Sequence, residues 1–258
     1  MIKPAKVVQQ MVVSSGSFGF SNWSQSERQR AVDEVNVFVE STKGKSVMVC
    51  TDGSVCYGSV GCGACAAVLV PISGEEDKFH DCKAVGQKVT SVTCELEGIA
   101  LGLQLSVNYF RFCKNRQQSE SVYIFCDCTV AIDIVIRKSV TARLELWKRL
   151  THLEYLLSGM MVNIVLVWIP AHQGISFHDT ADGLARDTAH SIFVGNLYAP
   201  NFVTYYDATR IAADIAMKSW QRKWDQDISG FYTRWLIPEV GKSAGPQIRK
   251  SAFYRRPQ

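Results

Sequence analysis

Four acidic residues, far apart in the chain, stand where they could do chemistry together. Asp52 closes the apolar run of VMVCTDGS, and Asp127 closes that of VYIFCDCTVA. Glu95 opens the apolar-periodic stretch TCELEGIALGLQL, and Asp182 lies ten residues after His172 in VWIPAHQGISFHDTADGLARDTA. A carboxylate buried without a partner costs several kcal/mol, and four brought together repel. Divalent cations relieve such a cluster, and an all-oxygen donor set suits Mg²⁺ or Mn²⁺. Two such ions about 3.5–4 Å apart can activate a water and stabilise the leaving oxygen in an in-line displacement at phosphorus. The pattern points to metal-dependent phosphoryl transfer, with His172 on a glycine-containing loop as a group that could move protons. Glu97 competes with Glu95, two residues on and about 200° around a helix. One of the two is expected to be a solvated first-turn acid favoured by the helix dipole.

The elements that must position these residues follow from apolar periodicity. Residues 26–42 carry helical spacing through Ala31, Val35, Phe38 and Val39. Strands are expected over 47–51, 64–70 and 83–89, joined by turns, which suggests an antiparallel meander. A long helix over 95–112 follows, then a strand over 122–126 and helices over 129–137 and 144–157, the last stopped by Ser158-Gly159. Residues 162–168 are nearly all apolar, as befits a strand covered on both faces. A helix over 179–190 completes the order β-β-β-α-β-α-α-β-α. A hairpin start followed by crossover helices implies an α/β fold, one five-stranded mixed sheet with helices on its faces. In such a sheet acids at strand ends and helix starts converge on one edge.

The chain of 258 residues is 47% hydrophobic and 20% charged, which excludes overall disorder. No apolar run reaches bilayer-spanning length, and the N-terminus lacks the apolar core of a signal peptide, so an intracellular protein (cytoplasm or nucleus) is expected. Nine cysteines, an odd number, fit reduced thiols. Cys62 and Cys65 form one C-x-x-C, but nothing completes a zinc site around them. Residues 207–258 hold ten Lys/Arg against five acids, whereas 1–206 hold 18 against 19. A basic segment behind a near-neutral body is a sign of a polyanion partner, with solubility as the plain alternative. Expected domains are a partly helical N-terminal connector (1–44), a catalytic domain (45–192), a linker with an amphipathic helix capped by Asp207 (193–240), and a basic disordered tail (241–258).

The stretches TDGS (51–54), CELEGIALGL (94–103), FCDCTVAI (125–132) and WIPAHQGISFHDTADGLARDTA (168–189) together resemble the type 1 ribonucleases H. Most of all they resemble the ribonuclease H domains of non-LTR retrotransposon polyproteins. SWQRKWDQDISGFYTRWLIPEV (219–240) is similar to the segment that follows the nuclease in such elements. The resemblance implies a ribonuclease H-like fold and a two-metal endonuclease that cuts the RNA strand of RNA–DNA hybrids. It places the metal-binding acids on Asp52, Glu95, Asp127 and Asp182, prefers Glu95 to Glu97, and makes His172 the mobile histidine. It implies two Mg²⁺ ions (Mn²⁺ as substitute), hybrid contacts near Gly53, Ser54 and Thr129, and a reverse transcriptase domain as partner in a longer polyprotein. The alternative it leaves open is a catalytically silent, nucleic-acid-binding or structural relic of the same fold. One departure is His178-Asp179, where the family often has Asn-Glu. Another is the pair of cysteines, Cys126 and Cys128, flanking Asp127, which raises the question of oxidation at the site.

Overall fold

The structure, a computed structural model, describes residues 7–10, 24–56, 60–72, 78–112, 121–137, 144–171, 176–201 and 203–226. The chain divides into two compact units, Met1–Asp207 and Ala208–Gln258.

The first unit is built on a six-stranded sheet. Its strands are β1 (Val7–Gln10), β2 (Val47–Cys56), β3 (Val60–Val70), β4 (Phe79–Thr90), β5 (Ser121–Cys126) and β6 (Asn163–Trp168). They lie in the order β1-β6-β5-β2-β3-β4. β2, β3 and β4 form the expected antiparallel meander. β5 joins β2 in parallel, and β6 joins β5 in parallel. These five strands are the expected ribonuclease H-like mixed sheet. β1 adds a sixth strand, parallel to β6, inside the stretch expected to be a partly helical N-terminal connector. Four residues without a run of alternating hydrophobicity leave no period-two signal to read.

Helices cover both faces. On one lie α2 (Ser91–Phe112), α3 (Thr129–Ile136) and α4 (Leu144–Gly159); on the other lie α1 (Gln25–Thr42) and α5 (Ser176–Phe193). Side chains alternate across a strand, so β2 sends odd residues one way and even residues the other. Val47 and Val49 enter a core with Leu96, Ile99, Leu103 and Leu150, while Met48 and Cys50 enter a second core with Val35, Phe125, Val167 and Ala181. α1 opens with a capping box, in which the Ser24 hydroxyl accepts from the Glu27 N–H while the Glu27 carboxylate accepts from the Ser24 N–H.

The chain after α5 belongs to the first unit as far as Asp207. Ala199 is buried, and the Pro200 carbonyl accepts from the Gln87 N–H at 3.2 Å. α6 (Tyr205–Gln226) begins here. Thr204 fills the capping place expected of Asp207, its hydroxyl accepting from the Asp207 N–H at 3.1 Å. Asp207 is fully buried and takes a different task, described below. The expected tail 241–258 lies outside the described residues.

Candidate active site

Register places the first two acids. Along the parallel pair β2–β5, Cys50 lies opposite Phe125, so two residues on Asp52 stands opposite Asp127. Asp52 is not at a strand end, as its apolar run suggested. β2 continues to Cys56 because its antiparallel partner β3 carries on past the point where β5 stops, with Asp52 paired to Ala66. The edge of the sheet at Asp52 is set by β5 ending, and the Thr51 hydroxyl donates across that edge to the Phe125 carbonyl at 3.3 Å.

Asp52 follows Met48 and Cys50 in the alternation, so its side chain faces α5. α5 answers with two residues four apart, which share one helix face. His178 is buried, and its Nε2 lies 3.7 Å from Asp52 Oδ1 and 3.6 Å from Asp127 Oδ2. Asp182 stands one turn further on, at the rim, where Arg186 reaches its Oδ2 at 3.0 Å.

Glu95 arrives from the other face. α2 begins four residues before the expected start, at Ser91, which puts Glu95 in its second turn. A Cβ added at Gly53 would collide with the backbone of Cys94 and Glu95, so only glycine lets β2 and α2 come this close. The Gly53 N–H then bonds to the Glu95 carboxylate, and the Cys126 thiol donates to Glu95 Oε2 at 3.7 Å. The site therefore straddles the sheet edge, with Glu95 on the α2 side, Asp52, His178 and Asp182 on the α5 side, and Asp127 at the seam.

The electrostatics reflect this crowding. Burial, then the charges of Asp127 and Asp182, push Asp52 up to about 7, with Arg186 pulling the other way. Burial, Asp127 and Asp52 hold Glu95 well above the usual carboxylate range. Burial and the nearby acids also raise the thiols: Cys126 lies well above its ordinary value, and Cys128 is pushed to about 11. A thiol kept protonated is a poor nucleophile, so with no cation bound the two flanking cysteines are held in their less reactive form.

The four sequence-distant acids are thus brought together. Glu97 is not a solvated first-turn acid. It is largely buried and held by Lys83 at 3.1 Å and by Arg149, tying α2 to β4 and α4. Of the residues expected to touch a substrate, Gly53 has the packing role just described, Ser54 is half-buried on β2, and Thr129 is partly exposed as the first residue of α3. Trp168 steadies this corner, its indole N–H donating to the Asp127 carbonyl at 2.9 Å. His172 lies outside the described residues. His178 was not foreseen as a site residue. A hint was its four-residue spacing from Asp182, passed over because His178-Asp179 stood only as a departure from the resembled family.

Among the described residues, two groupings of donor atoms could hold a cation, Asp52/Asp127/His178 and Glu95/Cys126/Asp127, the atoms of each lying within 4.8 Å of one another. These carboxylates, two of them raised by burial and then by the charges of their neighbours, fit a site that a divalent cation would neutralise. No helix among the described residues is long and apolar enough to cross a membrane.

No family model matches the sequence, and no curated protein matches it. Among solved structures, the N-terminal RNase H domain of rv2228c from Mycobacterium tuberculosis, in a fusion with maltose binding protein, shares 16% identity over 59% of this chain and 99% of that one, with a TM-score of 0.44. RNase H1 from the halophilic archaeon Halobacterium salinarum NRC-1 shares 15% over 57% of this chain and 98% of that one, TM-score 0.40. LC11-RNase H1, solved in complex with RNA/DNA hybrid, shares 15% over 57% and 99%, TM-score 0.44.

Proposed function

We propose that the chain is an endonuclease that hydrolyses the RNA strand of RNA–DNA hybrids, with Asp52, Glu95, Asp127 and Asp182 holding two divalent cations, Mg²⁺ in the first instance. The observation that supports it best is the convergence of these four acids, from β2, the turn after β5, α2 and α5, on one sheet edge, with Asp52 and Glu95 buried there. Buried carboxylates that repel one another are unfavourable for folding and are retained where a site uses them. Bound cations would supply an activated water and charge neutralisation at the leaving oxygen.

The chain's own residues do the rest. Glu95 and Asp127, fixed by Gly53 and by the seam of the sheet, hold the ligand atoms on rigid elements. Asp182, at the rim beside Arg186, belongs to the ligand set that faces solvent and substrate. Ser54, half-buried on β2, and Thr129, at the start of α3, are assigned the contacts to the 2′-hydroxyls that distinguish the RNA strand. His172 follows β6 in sequence and is assigned the movement of a proton at the leaving group. Origin in a retroelement polyprotein, a reverse transcriptase domain as partner and an intracellular site of action rest on the sequence alone. The presence of all four acids favours an enzyme over a silent relic.

The test is cleavage of a labelled RNA–DNA hybrid beside single-stranded RNA and duplex DNA. Hybrid cleavage should require Mg²⁺, fail with the larger Ca²⁺, and disappear in Asp127→Asn, which removes a charge without changing shape. Asp127→Asn retaining most of the activity would sink the assignment, and equal rates in Mg²⁺ and Ca²⁺ would rule out the two-metal reading.

A further inference from the structure

We infer that His178 is a metal ligand, so that one cation of the proposed site is held by an imidazole nitrogen with the carboxylates of Asp52 and Asp127. This rests on the metal-dependent reading above and changes its chemistry, because the four acids alone make an all-oxygen site. His178 is 1% exposed on the first turns of α5, on the same face as Asp182. Its Nε2 is 3.7 Å from Asp52 Oδ1 and 3.6 Å from Asp127 Oδ2. Both separations exceed a hydrogen bond, which runs at about 2.7–3.2 Å. They lie at or just beyond the upper end of the spacing of two donors on one cation, since bonds of about 2.0–2.2 Å at octahedral or tetrahedral angles set donors about 3–3.6 Å apart, so a bound ion would draw them slightly closer. A nitrogen that served only to position one carboxylate would close on that carboxylate. This one stands almost equidistant from two, on strands that meet at the sheet edge.

Ligand chemistry then sets the preference. Carboxylate oxygens suit Mg²⁺ and Mn²⁺, whereas imidazole favours later first-row ions such as Co²⁺ and Zn²⁺. A site with one nitrogen donor should therefore bind Mn²⁺ and Co²⁺ more tightly than its carboxylates alone predict, while gaining little for Mg²⁺. Asn at this position, the residue common in the resembled family, offers an amide oxygen and no such selection.

The experiment is pulsed EPR of Mn²⁺ bound to the full chain, prepared once with ordinary histidine and once with histidine carrying the heavy nitrogen isotope. The expected spectrum shows coupling to a directly bound nitrogen that changes with the label, persists in His172→Ala and is lost in His178→Asn. Calorimetry should show Co²⁺ binding weakened by about tenfold or more in His178→Asn, with Mg²⁺ binding nearly unchanged. Absence of nitrogen coupling in the wild type, or its survival in His178→Asn, overturns the inference. If His178→Asn does not fold, alanine variants of the other four histidines, His80, His152, His172 and His190, decide the point. Coupling retained in all four assigns it to His178, and its loss in any one of them assigns it elsewhere and overturns the inference. Magnesium-dependent hybrid cleavage without nitrogen coupling removes His178 from the ligand set and leaves the nuclease standing. Nitrogen coupling without cleavage does the reverse.

Discussion

At the scale of single residues, Asp52 shows what the site costs the fold. Its carboxyl is pushed up to about 7 from an ordinary 3.8, chiefly by burial and then by Asp127 and Asp182. Between those two values the folded chain holds a proton that the unfolded chain has released, so stability falls as pH rises through the window. The slope from one such group is at most about 1.4 kcal/mol per pH unit. Below the unfolded value both states hold the proton, and above about 7 both have lost it, so the slope vanishes at either end. Glu95, raised in the same sense, adds to the trend. Asp52→Asn removes the charge, so in chelator the variant should gain stability over the wild type between roughly pH 4 and 7 and keep a constant advantage above. Urea unfolding at pH 4, 6 and 8 checks this, and an advantage that does not change with pH would show that Asp52 is not the strained group. Adding Mn²⁺ at pH 8 should stabilise the wild type more than the variant. Asp52, Glu95 and Asp127 were legible because each sits at an end of an apolar run, and Asp182 through its ten-residue spacing from His172. His178 was not, because a four-residue spacing from Asp182 does not by itself say that the first turns of α5 will face the carboxylates of Asp52 and Asp127.

Elements were legible where the apolar pattern is continuous and blurred where it is not. β5, β6, α3 and α4 fall within a residue or two of their expected bounds, since each has a buried stripe or run. β4 is twelve residues long where seven were expected, because its first residues, Phe79 to Cys82, are exposed and leave no buried stripe to read. The end of α4 holds a smaller surprise. Gly159 was the expected stop, yet Met161 takes the left-handed conformation, at φ 56°, while the Val162 N–H closes on the Leu157 carbonyl. The contact least visible in the sequence is Asp207, which lies 117 residues from Thr90. Its Oδ1 accepts from the Thr90 N–H at 3.1 Å and from the hydroxyls of Thr90 and Thr93, both at 2.9 Å, and its Oδ2 accepts from Thr204 at 2.6 Å. A carboxylate there also meets the positive end of α2, the helix that carries Glu95. Asp207→Ala would strand buried donors and should cost about 3 kcal/mol in urea unfolding. Asp207→Asn should recover part of that loss. A loss below about 1 kcal/mol for the alanine variant would mean water replaces the carboxylate without difficulty.

For the whole molecule, that contact decides where the chain can be cut. A break ahead of Asp207 would take a buried carboxylate out of the first compact unit, so the second unit is removed from Ala208 onward, with the cut falling in the first turn of α6. Residues 208–258 carry ten Lys/Arg against four acids, whereas 1–207 carry 18 against 20. The unit that holds the proposed site is therefore slightly acidic, and its four carboxylates repel a phosphate backbone until cations occupy them. Affinity for a polyanion must come from elsewhere, and the second unit holds the excess positive charge. If its lysines and arginines neutralise phosphates, they release counterions, and the logarithm of affinity falls with the logarithm of salt by about 0.9 for each phosphate contacted. Removing 208–258 should weaken binding of an RNA–DNA hybrid at low salt and flatten that slope by several such steps. In excess Mg²⁺ and saturating hybrid, cleavage by the first unit should persist, since none of the four acids has been lost. Fluorescence anisotropy of a labelled hybrid at four or more salt concentrations measures the slope for both chains. An unchanged slope would show that the basic unit does not touch nucleic acid, and the near-neutral body would then have to grip the hybrid by shape and by its own cations.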